Sequence, residues 1–279
     1  MEAPDSSIRL LLTVQYDGGG FHGWQFQPDR RTVQGTLEET LSRLADRQCT
    51  VLGSGRTDTG VHATGQVASV DMPASWTAEK LHRALDAVLP ADVWVESVRH
   101  VRPDFHPRFD ATARTYVYRV GSSADAASPF HGRWCWALCE PLDDDQLAQA
   151  AVPIVGRHSF EAFAKTGQPE RGDMCSVSAA RWSEWQLGPR FTVTADRYLH
   201  HMVRYLVGTM VDVARGRRPV ADIERLLARD PGLVTSPPAP PEGLFLSQVD
   251  YPESALLEDE PSDPRFRVGA PPSRRTATV

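Results

Sequence analysis

The chain has 279 residues, of which 41% are hydrophobic, 24% charged and 8% aromatic, and its net charge is -6 at pH 7. That is enough apolar material for one large core or two small ones, which argues against a fibre, a disordered chain or a single minidomain. No run of about 18 uncharged apolar residues occurs and the start is acidic, so neither a membrane span nor a secretory leader is expected, and a soluble cytoplasmic protein is.

Ile8 to Val14 reads as a strand, and Thr32 is placed to cap a helix whose Val33, Leu37, Leu41 and Leu44 share one face. A short strand around Cys49 to Leu52, a glycine-rich loop and an extended run from Gln66 to Asp71 follow. Thr77 caps a second helix with Leu81, Leu85, Val88 and Leu89 inward and Pro90 as its stop, and Val93 to Val98 is the next strand. The order is β-α-β-β-α-β.

The order then returns without the sequence. Arg114 to Val120 alternates as a strand, Asp143 caps a short helix through Ile154, and Val177 to Trp185 and Phe191 to Ala195 form strands about a Gly188-Pro189 turn. A helix from Leu199 to Arg215 closed by Gly216, an extra helix from Asp222 to Arg229 and a strand from Leu244 to Val249 complete it. Two such units predict an α+β fold: two ferredoxin-like halves in a mixed, mainly antiparallel sheet, with helices on one side and a cleft between the halves. Pro103 and Pro107 interrupt regular structure, which divides the chain into 1–106, 107–251 and a tail, 252–279. The tail is acidic and then rich in Pro, Ser and Arg, and is expected to be disordered.

Four cysteines are too few for a disulfide framework. His131, Cys135 and Cys139 recur every fourth residue, but Trp134, Trp136 and Leu138 alternate with Cys135, Ala137 and Cys139, so a strand with buried thiols is read rather than a metal site. His200 and His201 would point about 100° apart on a helix and would not converge on one ion. Residues 171–218 hold eight arginines against four acids, a patch for phosphate or simply a solvated face.

The loop from Gly53 to Gly65 carries four glycines in thirteen residues, with Arg56 and Asp58 two apart. Such a loop lets a ligand approach the backbone closely, although an Asp that caps its own turn is the bland alternative. Apolar residues cover most of the helix from Leu199 to Arg215, so Arg204 within it is expected to be buried. A buried guanidinium requires an anionic partner, since leaving it unpaired costs several kcal/mol. Asp212 lies about 12 Å along the helix axis, too far for a direct pair, and Asp58 is a candidate partner across the cleft; the alternative is an Arg204 that snorkels to the surface. An arginine there would keep that carboxylate ionised.

These residues resemble the tRNA pseudouridine synthase A family. The likeness runs from Tyr16-Asp17-Gly18, Gly23-Trp24-Gln25 and Gln27 through Thr32-Val33-Gln34 to Gly55-Arg56-Thr57-Asp58-Thr59-Gly60-Val61-His62-Ala63. It continues with Phe105-His106, Arg108-Phe109, Ala113-Arg114-Thr115-Tyr116, Tyr118, Met202-Val203-Arg204, Gly208 and Gly243-Leu244. Thr59 stands where the family usually has Ala, and Pro241 and Glu242 alter the motif before Gly243.

The resemblance implies isomerisation of uridine to pseudouridine at positions 38, 39 and 40 of the tRNA anticodon arm, by a homodimer without metal or organic cofactor. It assigns Asp58 as the catalytic aspartate, Tyr116 as the active-site tyrosine, Arg204 as the partner of Asp58, Arg56 to base flipping and Leu244 to the uracil pocket. Gln66 is expected to contact backbone or ribose, and His62 is expected near the substrate or as a hydrogen-bonding support of the loop. Phe21 and Trp24 are read as packing residues. A non-catalytic RNA chaperone and a hydrolase of the glycosidic bond are the rival readings.

Overall fold

The computed structural model describes residues 7–165 and 172–255. In the first half, β1 (Ser7–Tyr16), α1 (Val33–Ala45), β2 (Val51–Gly53), β3 (His62–Pro73), α2 (Ala78–Val88) and β4 (Val93–His100) follow the predicted order. Both caps act as the sequence implies: the Thr32 side chain accepts from Gly35 N and that of Thr77 from Lys80 N. Leu37, Leu41, Leu81 and Leu85 are fully buried from the helices, and Leu10, Leu11 and Leu12 are fully buried along β1, so both faces of that central strand are covered.

The second half comprises β5 (Ala113–Gly121), β6 (Trp136–Ala137), α3 (Asp144–Ala151), β7 (Gly156–Ser159), β8 (Met174–Trp185), β9 (Gly188–Ala195), α4 (Met202–Ala214), α5 (Asp222–Leu227) and β10 (Leu244–Asp250). β6 falls within the segment around Cys135 that the sequence reads as a strand, whereas β7 has no counterpart in the sequence reading. The β8–β9 turn falls at Gln186-Leu187, with Gly188 already in β9, and α4 begins three residues later than the periodicity predicts.

All ten strands form one mixed, mainly antiparallel sheet whose main path runs β4-β1-β3-β10-β5-β9-β8-β7. β4-β1-β3, with β2 also paired to β3, and β10-β5-β9-β8 are the same four-strand ferredoxin-like order used twice. The two sets join where β10 runs parallel to β3 over only two pairs, Phe245 with His62 and Leu246 with Ala63. At this seam Gly65 is required, because a Cβ there would lie 2.2 Å from the Ser247 carbonyl oxygen.

Two apolar clusters fill the molecule and cross the seam. Leu246, Val249 and Tyr251 belong to the first-half core, Val61 belongs to the second-half core, and Tyr116 packs against both. Of the tail, residues 253–255 form a 3-10 turn with Ala255 fully buried. The rest of the expected disorder falls outside the described residues.

Candidate active site at the seam of the two halves

The loop between β2 and β3 spans residues 54–61 and is tied down from several directions. Trp24 N donates to the Thr57 carbonyl at 3.0 Å, the Tyr16 hydroxyl meets Thr57 Oγ1 at 2.7 Å, and Arg114 Nη2 donates to the Ser54 carbonyl at 3.0 Å. Gly23, at φ +85°, lets the neighbouring chain approach, since a Cβ there would sit 2.7 Å from the Thr57 oxygen. Val61 N closes a turn on the Asp58 carbonyl at 3.1 Å. The result is a buried Thr57 followed by Asp58, whose side chain is 25% exposed and faces the second half.

The opposing groups come from the start of α4. Arg204 Nη1 lies 3.8 Å from Asp58 Oδ2, with the guanidinium largely buried. This is the pair that the burial argument predicts, although at a length that is a charge contact rather than a hydrogen bond. The expectation that His200 and His201 lie on the helix and diverge is wrong. Both precede α4, and His201 adopts a left-handed conformation (φ 64°). That conformation costs a non-glycine residue about 1 kcal/mol, and it turns the two rings onto one carboxylate. His200 Nε2 lies 3.3 Å from Asp58 Oδ1, and His201 Nε2 lies 3.3 Å from Oδ2. The same three residues offer ligand atoms within 4.8 Å of one another, but the fixed positive charge of Arg204 beside them works against a cation.

Tyr116 stands on β5 opposite Leu246, its ring edge-on to Tyr198 at 4.8 Å. Burial, reinforced by the negative charge of Asp58, pushes its phenol well above the ordinary tyrosine range, so it stays protonated. Two residues along and so on the same face of β5, Tyr118 is fully buried and donates to the Pro240 carbonyl, while Tyr116 is half-buried at the seam. Leu244 is buried at the start of β10 beside Tyr118. Arg56 is exposed and pairs with no carboxylate among the described residues.

Gln66 and His62 are both buried. Gln66 is fully buried: its Oε1 accepts from Ser54 Oγ at 2.7 Å and its Nε2 donates to the Gly55 carbonyl at 3.0 Å, so it braces the loop. His62 is buried between Trp134 and Phe245, and its Nδ1 accepts from Gly18 N at 3.0 Å. It is the loop support that its apolar neighbours suggest. Phe21 and Trp24 are buried as packing residues.

The His131–Cys139 segment is a 3-10 turn (Gly132–Trp134) followed by β6, with Cys135 buried but Cys139 exposed, so only one of those two thiols is in the core. In the basic segment, Arg215, Arg217 and Arg218 pair with Glu140, Asp212 and Asp222. Much of that charge is therefore neutralised locally.

A doubled ferredoxin-like sheet of this kind is consistent with the pseudouridine synthase class. Residues 12–110 and 150–252 match the family described as tRNA pseudouridine synthase. The chain is similar to the tRNA pseudouridine synthase A of Bacteroides thetaiotaomicron, at 36% identity over 258 residues covering 90% of this chain and 93% of the relative. It is similar also to that of Moorella thermoacetica, at 39% identity covering 87% and 99%. The chain belongs to the tRNA pseudouridine synthase family, which is a family of isomerases.

Proposed function

We propose that this chain isomerises uridine to pseudouridine in tRNA, at positions 38, 39 and 40 of the anticodon arm, with Asp58 as the nucleophile. The observation that carries this reading is the setting of Asp58: a carboxylate 25% exposed, with two imidazoles and a guanidinium within 4 Å and all three from the other half. A preorganised anion of this kind serves a reaction in which positive character develops on ribose C1′.

In the reaction the C1′–N1 bond breaks, C1′ bonds to C5, the C5 proton leaves and N1 gains a proton. The uridine first leaves the stack at a cost of a few kcal/mol, which an inserted side chain and a stacking ring offset. Arg56, exposed and without an ion pair among the described residues, is suited to the first task, and the Tyr116 ring beside Asp58 to the second. Leu244 lines the apolar pocket for the base. Asp58 then attacks C1′ or C6, or takes the 2′ proton on a glycal route, with Arg204 beside its carboxylate. Tyr116 takes part as a neutral phenol.

The halves 1–106 and 107–251 supply the aspartate and the basic groups respectively. We infer, with the family likeness in support, that the protein works as a cytoplasmic homodimer with one tRNA across both subunits and uses neither metal nor organic cofactor. Among the described residues no helix is long and apolar enough to cross a membrane. Incubation with unmodified tRNA carrying uridine at 38, 39 and 40, followed by pseudouridine mapping, tests the reading. Conversion at those positions supports it, and free uracil or unchanged uridine contradicts it.

A further inference from the structure

His200 and His201 lie nearer to Asp58 than Arg204 does, each at 3.3 Å from a different carboxylate oxygen. We propose that His201 is a positioning residue for Asp58, which holds the carboxylate as a neutral imidazole and disables the site when it gains a proton. The proposal rests on Asp58 being the nucleophile.

Three observations support it. First, His201 occupies the residue before α4, where Ser, Thr, Asp or Asn would cap the helix, yet its side chain caps nothing. Its left-handed backbone (φ 64°) is instead spent on aiming the ring at Oδ2. Second, the ring is 18% exposed, against 40% for His200, so it is the better shielded of the two contacts. Third, Arg204 already sets a full positive charge beside the single negative charge of Asp58, so a proton on His201 would add an excess. The charged and titratable groups facing the ring are Asp58 from the β2–β3 loop, Lys165 from the segment after Phe163, and His200 and Arg204 from its own element. The Tyr205 ring lies 6.4 Å away. Desolvation pushes the imidazole below its ordinary range; Asp58 opposes this, while His200, Arg204 and Lys165 add to it. A proton on His201 would bring a second full positive charge to the carboxylate and lower its nucleophilicity.

The test compares full-length wild type, His201→Asn and His201→Gln in single-turnover conversion of unmodified tRNA between about pH 5 and 8, with tRNA binding measured in parallel. Asn accepts the left-handed backbone, which preserves folding, but is too short to reach Oδ2. Its rate at pH 7.5 should fall about tenfold or more, with the tRNA dissociation constant changed less than about twofold. Gln reaches the carboxylate and should retain more of the rate. In both variants the loss of rate that wild type shows on acidification should move down by about half a pH unit or more. Rates within about twofold of wild type, a binding loss that matches the rate loss, or an unmoved acid limb would each overturn the proposal. If wild type forms no pseudouridine, the functional reading itself fails and this inference falls with it.

Discussion

Arg204 stands 3.8 Å from Asp58 but is anchored elsewhere: its Nε donates to the Ala239 carbonyl at 2.7 Å, and Ala239 N donates back to the Arg204 carbonyl at 2.9 Å. The backbone beside α4 therefore fixes the guanidinium without help from the carboxylate. Asp58 in turn is fixed by the loop contacts of Thr57 and Val61. Two separately built elements thus present opposite charges across the seam, which is the preorganisation that a charged nucleophile needs.

Arg204→Leu should lower turnover by about 100-fold or more while tRNA binding falls only a few-fold, because the lost contact is made to the nucleophile rather than to the phosphate backbone. Arg204→Lys should rescue little, since one ammonium cannot both bond the Ala239 carbonyl and stand beside Asp58. Single-turnover rates and filter binding check both, and equal losses in rate and binding would count against the pairing.

Gly65→Ala should destabilise the fold by about 2–4 kcal/mol, because the new Cβ meets a backbone oxygen at the seam and neither strand can move without breaking the β3–β10 pairing. Gly216→Ala is the control. Its φ is also positive, at +67°, but nothing lies within 4 Å, so the cost should be about 1 kcal/mol. Urea unfolding measures the difference.

Stability should decline on mild acidification through histidine. Burial depresses the proton affinity of His62 and His201 in the folded chain, against an unfolded value near 6.5. The unfolded state then binds more protons, so stability is complete above about pH 6.5 and falls progressively below it. His62→Asn keeps an acceptor for Gly18 N but cannot titrate, and should flatten the slope of unfolding free energy between about pH 6.5 and 5. A slope unchanged from wild type would show that His62 does not contribute.

The sequence is most legible where local chemistry decides. Thr32, Thr77 and Asp143 cap their helices as their types imply, and the buried Arg204 called for an acid that Asp58 supplies. The seam could not be read, since β10 meets β3 over two residue pairs and no local pattern encodes so short a tertiary contact. His200 and His201 were missed because apolar periodicity continues through Leu199 and hides the left-handed residue that starts the helix late. A signal was present, since the two histidines precede Arg204 by four and three residues and no capping residue stands ahead of Met202. The bracing contacts of Gln66 were not legible, because a polar residue beside a glycine loop does not reveal whether it faces outward or supports the turn from below.

The central claim is that the Asp58 carboxylate starts the isomerisation, and tritium release from tRNA labelled at C5 of uridine tests it most directly. Wild type should release the label from the anticodon arm, whereas Asp58→Asn, nearly isosteric but uncharged, should bind the same tRNA and release none above background. Release by Asp58→Asn within about tenfold of the wild-type rate would contradict the account and move the chemistry to another group.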